Sequence, residues 1–444
     1  MKSMKQRAVL PALIFTTVAF CTANGFANPT AVATAPQTTA STAIISTAAK
    51  TTATTSPAAT APATPQAQAP VATPMPVATS VSPAIDKQPS IIPTAPELNS
   101  TGYVLMDADT GMIIAHKNMH QKMQPASLTK LMTLYLTFQA LKSGQIHLTD
   151  MVRISKDAWQ TGGSRMFVKE GSTVSVQDLI DGIIVASGND ACVALSEYVG
   201  GNESTFVDMM NATAQQLGMK STHYIDSTGL PQPGHHTTPY DMSLLAHAII
   251  NNFPQYYPFF KQGWITYNGI KQPNRNRLLW RDPTVDGLKT GHTQEAGYCL
   301  ISSAKRNGMR LISIMMGAPT DAERASDSES LLNWGFRFYK THKLFDANQA
   351  LAHPRVWLGA SRTVPVGLQN PLFVTIPTGT YSKLKPQVDL NNKLEAPIKK
   401  GDSVGTLTIQ LNNQVISKVT LVALQDDNKG NFLSRTWDHL TRLF

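Results

Sequence analysis

The sequence predicts a mixed α/β protein, in which a larger domain of helices and strands precedes a small all-β domain. In the first part, strand-like runs stand at both ends of a long helical middle, which is typical of a mixed domain. After residue 349 the apolar runs are short and are separated by Pro, Gly and Asn turns, as in a β-sandwich. We therefore predict domains at 97–348 and 349–427.

The N-terminal region indicates export. Basic residues precede an apolar run from Ala8 to Phe20, and small residues lead to Ala27. Because this run is short for a membrane span, we predict a signal peptide at 1–27, with cleavage after Ala27 or Ala23. Residues 28–96 are rich in Thr, Ala and Pro and contain no aromatic residue, so they are predicted to form a disordered spacer.

Within the larger domain, apolar runs and turn residues predict the order of the elements. Along the chain these are a hairpin from Tyr103 to Ala115, a mostly helical stretch over 127–250, a hairpin turning at Asn268-Gly269, strands at 297–304 and 309–316, and a helix near 321–338.

The C-terminal residues 428–444 are predicted to form an amphipathic helix. Its apolar side chains fall on one stripe: Phe432, Leu433, Trp437, Leu440, Leu443 and Phe444. Its polar side chains lie towards the other face: Arg435, Asp438, His439 and Arg442. A helix of this length cannot span a bilayer, so we expect it to lie in the interface of an anionic membrane surface. Packing of the helix on the β domain is the alternative.

Ser127-Leu128-Thr129-Lys130 is the first of three short motifs that together indicate a catalytic site. It precedes an apolar run, which predicts a helix start at this point. Residues three apart share a helical face, so Lys130 would lie beside Ser127. Burial destabilises an ammonium, and the neutral amine can take the proton of a serine. The motif therefore predicts Ser127 as nucleophile and Lys130 as base.

The second motif is Ser187-Gly188-Asn189, which follows an apolar stretch. Ser187 could pass a proton between Lys130 and a leaving group, and the amide of Asn189 could hold a substrate amide. Taken alone, the same three residues are typical of a helix-capping loop.

The third motif, Lys289-Thr290-Gly291, precedes a predicted buried strand. Lys289 and Thr290 offer a positive charge and a hydroxyl to a carboxylate, while Gly291 would let a substrate backbone approach closely. The backbone N–H groups of Ser127 and His292 are predicted to form an oxyanion hole.

The three motifs follow one another at separations of about 60 and about 100 residues, an order found in penicillin-recognising serine acyl-enzymes. Further matching stretches are Tyr103–Asp107, Pro125–Lys130, Ser187–Ala194, Asn274–Asn276, Val285–Thr293 and Trp334–Phe338. From about residue 95 onwards the chain resembles low-molecular-mass penicillin-binding proteins of the D-alanyl-D-alanine carboxypeptidase type. The resemblance implies a β-lactamase/DD-peptidase-like domain with an antiparallel sheet flanked by helices, followed by the β-sandwich.

This resemblance implies a serine carboxypeptidase that removes the terminal D-alanine of peptidoglycan stem pentapeptides and is acylated by β-lactam antibiotics. It also implies a periplasmic location on the outer face of the inner membrane. Arg275 and Arg324 are the arginines that it points to for the substrate carboxylate, since a guanidinium suits a carboxylate. For Arg324, with Glu323 and Asp327 close in sequence, bracing of the fold is the alternative role.

Three other functions are the alternatives: a DD-endopeptidase that cuts crosslinks, a β-lactamase and a non-catalytic wall-binding protein. The appended β domain favours the carboxypeptidase over the endopeptidase. Class A β-lactamases carry a Glu-x-x-Leu-Asn element between the second and third motifs, whereas here Glu329–Asn333 follows the third. The intact Ser127, Lys130 and Lys289 argue against a non-catalytic protein.

Composition and charge bear on the remaining classes. The net charge of +9 comes from basic residues spread along the chain, so nucleic acid is not an expected partner. His235-His236 lacks the neighbours of a metal site, and we expect surface histidines and neither a metal nor a cofactor. Cys192 and Cys299 are expected to be buried free thiols rather than a disulfide.

Overall fold

The computed structural model of the chain describes residues 7–8, 92–391 and 393–441. Apart from Arg7–Ala8, the predicted signal peptide lies outside the described residues, and so does the predicted spacer as far as residue 91. Residues 92–96, which were assigned to the spacer, lie against the globular part, where the backbone carbonyl of Pro93 accepts a hydrogen bond from Trp334 Nε1 at 3.2 Å.

A five-stranded antiparallel sheet forms the centre of the larger domain. In spatial order its strands are Ile113–Lys117, Gly102–Asp107, Met309–Ala318, Gly297–Arg306 and Val285–Thr293. Alternate residues of one strand face two different cores, as the two-residue period of a strand requires. Val104 and Met106 contribute to the core shared with the helical middle, while Tyr103 and Leu105 contribute to the core beneath the last long helix. The sheet is therefore covered on both faces.

The helices of this domain begin at sequence signals that can be recognised. The α-helices are Lys130–Ser143, Lys156–Gln160, Val176–Asp181, Asn189–Gly200, Glu203–Gln216, Pro239–Asn252, Leu278–Arg281 and Asp321–Phe338. Side-chain oxygens cap several of their N-termini, among them those of Asn202, Thr238 and Thr320. Shorter turns are the 3₁₀ segments Ala126–Thr129 and Tyr257–Lys261 and the π segment Gly182–Ala186. Two small antiparallel sheets pair Met151–Arg153 with Thr173–Ser175, and Trp264–Tyr267 with Ile270–Pro273, the second pair being a hairpin.

The second domain consists of strands around its own apolar core. Its main sheet runs, in order, through Arg7–Ala8, Leu384–Leu390, Ser403–Leu411, Gln414–Ala423, Val366–Gly367 and Ala350–Ala352. Two further pairs join Tyr339–Phe345 to Leu372–Pro377, and Val356–Trp357 to Leu394–Glu395. A 3₁₀ turn spans Tyr381–Lys383. Phe345, which precedes the predicted boundary at 349, is buried in this core together with Leu407 and Leu421.

Hydroxyl and carboxylate groups join the two domains at the hairpin that begins the larger one. Thr110 Oγ1 lies 2.9 Å from Thr375 Oγ1, which in turn lies 3.1 Å from Thr341 Oγ1. The hydroxyl of Thr341 also donates to the carboxylate of Asp107.

The mixed α/β fold class predicted from the sequence is confirmed.

The C-terminal helix spans Phe432–Thr441. Its Asp438 carboxylate accepts hydrogen bonds from Arg355 Nη2 at 2.9 Å and from the backbone N–H of Leu358 at 2.8 Å. Phe432 and Trp437 are 79% and 65% exposed, so most of the surface of these two apolar side chains is open to solvent. Within the described part of the chain, no helix combines the length and the apolar character that crossing a membrane requires.

Candidate active site

Ser127 lies in the 3₁₀ turn Ala126–Thr129, which continues directly into the helix that begins at Lys130. This geometry places the Lys130 amine 3.0 Å from Ser127 Oγ. The same nitrogen donates to the backbone carbonyl of Thr228 at 2.6 Å. Ser127 remains partly accessible, whereas Lys130 is completely buried. A serine hydroxyl thus meets a lysine that has been taken out of water.

Burial lowers the pKa of Lys130 below its ordinary value, because an ammonium loses its hydration in the interior. Asp226 and Asp190 oppose this shift, since negative charge favours the ammonium, while the positive charge of Arg275 reinforces it. A lysine with a depressed pKa retains a neutral amine over a wider pH range. This amine can therefore accept the proton of Ser127.

Ser187 stands opposite this pair, at the end of the π segment Gly182–Ala186. Its backbone has a left-handed conformation, with φ at 57°. The Lys289 amine donates to Ser187 Oγ at 3.0 Å and to the backbone carbonyl of Thr290 at 3.1 Å. Burial lowers the pKa of Lys289 well below its ordinary value, and the positive charges of Lys130 and Arg275 lower it further. Two lysines thus flank the two serines of the site.

Asn189 begins the helix Asn189–Gly200, and the neighbouring loop fixes its side-chain amide. Its Nδ2 donates to the backbone carbonyl of Gly162 at 2.6 Å. Its buried Oδ1 has no hydrogen-bond partner among the residues that the structure describes. A buried acceptor without a partner costs free energy, so this oxygen would gain from a hydrogen-bond donor brought to it.

Thr290, Gly291 and His292 lie on the strand Val285–Thr293 at the edge of the sheet. A methyl group on Gly291 would lie 3.2 Å from the carbonyl oxygen of Pro125 and 3.3 Å from Cβ of Ala126. Glycine therefore lets this strand pack against the turn that carries Ser127. The exposed ring of His292 lies 4.0 Å, centre to centre, from the ring of Tyr298.

The two arginines occupy different environments. Arg275 is exposed, and its Nη1 donates to Ser164 Oγ at 2.7 Å. Arg324 is buried, and its Nη1 donates to the backbone carbonyls of Gly291 at 2.9 Å and Cys299 at 3.2 Å. Its Nη2 pairs with Asp321. Arg324 therefore braces the strand that carries the third motif, and the acid that pairs with it is neither of the two expected from the sequence.

A cavity of about 490 Å³ brings these groups together. Its lining residues are Ser127, Ser164, Ser187, Pro273, Asn274, Arg275, Arg277, Thr290, Gly291, His292, Tyr298, Asp321 and Arg324. Lys130, Lys289 and Asn189 do not line it but lie behind its wall. The two lysines reach it through the serines, and the backbone N–H of Asn189 donates at 2.7 Å to the carbonyl of Ser164, which lines the cavity. Each residue selected from the sequence therefore lies in the cavity wall or directly behind it.

Sequence reasoning missed several groups at this site. The backbone carbonyl of Thr228, which accepts a hydrogen bond from Lys130, could not be identified from the sequence, because every residue has a backbone carbonyl. Ser164 and Tyr298 lack a motif that could have identified them. Asp321 was detectable in principle, since it precedes Arg324 by three residues at a predicted helix start.

The prediction that both residues of His235-His236 lie at the surface is wrong for His235. This ring is buried, and its Nε2 lies 3.0 Å from the hydroxyl of Thr129.

Cys192 and Cys299, the cysteines of the described residues, are buried and free. Burial raises the pKa of the Cys192 thiol to about 12 and that of the Cys299 thiol to about 11. The described residues contain no group of three or more His, Cys, Asp or Glu side chains that could hold a metal ion.

Comparison with known families gives two matches, one to each domain of the chain. Residues 90–320 match the family described as D-alanyl-D-alanine carboxypeptidase. Residues 339–429 match the C-terminal domain of penicillin-binding protein 5.

Curated relatives and solved structures agree with these matches. D-alanyl-D-alanine carboxypeptidase DacC of Escherichia coli (strain K12) is 44% identical over 358 residues, which cover 79% of this chain and 90% of the relative. DacA of the same organism is 40% identical and covers 80% and 90%. The crystal structure of penicillin-binding protein 5 from Haemophilus influenzae is 42% identical, with a TM-score of 0.73, and the match covers 76% of this chain and 99% of that one. Penicillin-binding protein D2 of Listeria monocytogenes in its ampicillin-bound form is 30% identical, with a TM-score of 0.51, over 55% of this chain and all of that one.

The family predicted from the three motifs is thus confirmed, and the chain belongs to the D-alanyl-D-alanine carboxypeptidase family of serine peptidases.

Proposed function

We propose that this protein removes the terminal D-alanine from peptidoglycan stem pentapeptides through an acyl-enzyme on Ser127. The observation that carries the proposal is the distance of 3.0 Å between the completely buried Lys130 amine and Ser127 Oγ. The hydroxyl of Ser187, held by Lys289 at 3.0 Å, lies in the wall of the same cavity. Nucleophile, base and proton carrier are thereby available together.

In the first half-reaction, Lys130 Nζ takes the hydroxyl proton while Ser127 Oγ bonds to the carbonyl carbon of the penultimate D-alanine. The backbone N–H groups of Ser127 and His292 receive the negative charge that develops on the carbonyl oxygen. The amide C–N bond then breaks, and Ser187 passes the proton from Lys130 to the departing amine of the terminal D-alanine. Water hydrolyses the resulting ester, which restores the Ser127 hydroxyl and releases the shortened peptide.

The terminal carboxylate of the substrate is anchored by positive charge and hydroxyl groups on one side of the cavity. Thr290 and Arg275 lie in the cavity wall, with Lys289 behind it and Arg324 bracing the strand. On the acyl side, Asn189 Oδ1 accepts an N–H of the substrate backbone. A carboxylate held by several donors favours a substrate with a free C-terminal carboxylate, such as the pentapeptide.

Penicillin is proposed to acylate the same hydroxyl, because its strained amide mimics the D-Ala-D-Ala bond. The β-lactamase alternative is not supported by the position of Glu329. The Glu329–Asn333 element lies within the helix Asp321–Phe338 and outside the cavity lining, and Asn333 accepts a hydrogen bond from Arg306 at 2.8 Å. An endopeptidase that cuts crosslinks remains the closer alternative.

The test uses Ser127→Ala with pentapeptide and crosslinked muropeptides, and mass spectrometry of the products. We expect the wild type to release D-alanine from the pentapeptide and to form a covalent penicillin adduct, and we expect the variant to do neither. Covalent penicillin on the variant would show that another residue is the nucleophile. Cleavage of the crosslinked substrate at the higher rate would favour the endopeptidase.

We also propose that the mature protein acts in the periplasm, on the outer face of the inner membrane. The signal peptide at 1–27 and the spacer that is predicted to follow it are part of this proposal. The C-terminal helix would hold the protein on an anionic lipid surface through Phe432 and Trp437, which are both exposed. Export and membrane attachment would bring the site to its peptidoglycan substrate.

A further inference from the structure

We propose that Asp226 is a positioning residue, which orders one loop so that it fixes both the Lys130 amine and the turn carrying Ser127. The proposal rests on the assigned role of Lys130 as base. Asp226 touches neither the cavity nor the reacting atoms, so its effect on catalysis would be exerted entirely through its neighbours.

The carboxylate of Asp226 organises the loop that follows it. Its Oδ1 accepts three hydrogen bonds: from the backbone N–H of Thr228 at 2.7 Å, from the Thr228 hydroxyl at 2.9 Å, and from the backbone N–H of Gly229 at 2.6 Å. Its Oδ2 accepts from Gln232 Nε2 at 3.0 Å. Although burial alone would raise its pKa, these bonds and the nearby His235 lower the pKa of Asp226 to about 2. The group is therefore a carboxylate across the working pH range.

The loop ordered by Asp226 meets the nucleophile turn at three points. The Thr228 carbonyl accepts from Lys130 Nζ at 2.6 Å. The backbone of Gly229 packs so closely on the turn that a methyl group there would lie 1.9 Å from the carbonyl oxygen of Ala126. His235 Nε2 lies 3.0 Å from the hydroxyl of Thr129, one residue before Lys130.

The contact with Thr228 restricts the orientation of the Lys130 amine. A neutral amine has two N–H bonds and one lone pair, and a backbone carbonyl can only accept a hydrogen bond. The carbonyl of Thr228 therefore holds one N–H of Lys130. The lone pair is then free to point at the hydroxyl of Ser127, which lies 3.0 Å away. Without this carbonyl the amine could rotate and present an N–H to Ser127 instead.

His235 extends the same arrangement to Thr129. Its Nδ1 lies 3.7 Å from Asp226 Oδ2, and its Nε2 lies 3.0 Å from the hydroxyl of Thr129. Asp226, His235 and Thr129 thus form a buried chain of contacts beneath the turn that carries Ser127. This chain ends at Thr129, while Asp226 also acts on Lys130, the next residue of the motif, through the loop at Thr228.

Several other titratable groups lie near Lys130 and Asp226. Lys130 also feels Asp190, Arg275 and Cys192, and its charge is felt by Lys289. On the side of Asp226, Glu203 accepts hydrogen bonds from the adjacent Ser227. Asp226 is one of the two carboxylates that raise the pKa of Lys130 against the effect of burial. Removing its charge should therefore lower that pKa and extend the neutral amine to lower pH.

The experiment measures the rate of acylation by penicillin against pH for the full-length protein and for Asp226→Ala and Asp226→Asn. The fraction of molecules that finally form a covalent penicillin adduct counts the titratable active sites and gives the folded fraction. Thermal unfolding is followed in parallel. The wild type reports separately on the proposed function, because a wild type that is not acylated would overturn both proposals. Asp282→Ala is the matched control, since Asp282 Oδ1 likewise accepts from the backbone N–H and hydroxyl of one threonine, Thr284, outside the cavity.

Asp226→Ala should react about 10²-fold more slowly per titratable site, the size of effect expected when a catalytic group is misplaced by about 1 Å. Asp226→Asn keeps an acceptor for the loop, so its maximal rate should stay within a few-fold of wild type, while the acid limb of its profile moves to lower pH. Asp282→Ala should react at the wild-type rate. If Asp226→Ala loses only titratable sites and the remainder reacts normally, or if the acid limb of Asp226→Asn stays in place, Asp226 is merely structural and the proposal is wrong.

Discussion

The amine of Lys130 can accept a proton only while it is neutral, so acylation should depend on its pKa. Burial lowers this pKa, and the ammonium form gains population as the pH falls through the lowered value. We therefore expect acylation by penicillin to have an acid limb below the pKa of an ordinary lysine, and Lys130→Arg to be nearly inert because a guanidinium stays charged. The measurement is the acylation rate against pH. A fully active arginine variant would instead point to Ser187 as the base.

The two arginines should respond differently to substitution, because one is exposed and the other is buried. Arg275→Ala removes a cavity side chain whose described hydrogen bond is to Ser164, so pentapeptide cleavage should slow at least 10-fold with little change in stability. Arg324→Ala should slow cleavage and should in addition lower the free energy of unfolding by about 3 kcal/mol. The substitution removes the guanidinium that donates to the buried carbonyls of Gly291 and Cys299.

Steady-state kinetics and thermal unfolding distinguish these effects. The matched control is Arg337→Ala, on the same helix as Arg324 but exposed and outside the cavity lining, which should change neither quantity. An Arg275→Ala variant that unfolds early would assign a bracing role to this residue as well. An Arg324→Ala variant with wild-type stability would show that its role is confined to the substrate.

At the scale of the elements, the loop between Gly162 and Gly171 positions Asn189. Gly163 has φ at 80°, and a methyl group there would lie 2.6 Å from Asn189 Nδ2. Gly163→Ala should therefore displace the amide and slow acylation. Gly171→Ala is a matched control in the same loop, with φ at 73° but nothing within 4 Å of the added methyl group.

Both substitutions should lower the free energy of unfolding by about 1–2 kcal/mol, because alanine is strained at positive φ. Only Gly163→Ala should also reduce the acylation rate per folded molecule. Equal acylation rates in the two variants would mean that the position of Asn189 does not limit the reaction.

The elements that sequence reasoning predicted well are those specified by local chemistry. The Asn268-Gly269 turn and the alternating runs at 297–304 and 309–316 led directly to the observed hairpin and strands. The π segment before Ser187 could not be predicted, because π turns are rare and the apolar run Gly182–Ala186 predicts an ordinary helix. The same limit applied to the site: motif side chains were found, but the carbonyl of Thr228 and the buried His235 are brought there by the tertiary fold.

At the scale of the whole molecule, the C-terminal helix has a fixed orientation on the β domain. Asp438 attaches the helix through Arg355 and Leu358. At about 100° per residue, the apolar stripe predicted from Phe432 to Phe444 is centred roughly opposite Asp438. Asp438 is thus attached to the β domain, while Phe432 and Trp437 are largely exposed. This orientation supports the proposal that the stripe meets a membrane rather than the domain.

Deleting residues 430–444 should therefore release the protein from vesicles that contain anionic lipid and leave cleavage of a small soluble peptide unchanged. Burial of a large apolar side chain contributes roughly 1.5–3 kcal/mol, so Phe432 and Trp437 account for much of the binding.

The double variant Phe432→Ser, Trp437→Ser should therefore sediment less with vesicles. Trp264→Ser, at an exposed tryptophan of the other domain, should sediment as the wild type does. The truncated protein loses the Arg355–Asp438 pair, which is half-exposed on its arginine side, and the hydrogen bond from the Leu358 N–H to Asp438. It should therefore lose only about 1–2 kcal/mol of stability. If the truncated protein unfolds or aggregates, the helix is part of the fold and the membrane proposal fails.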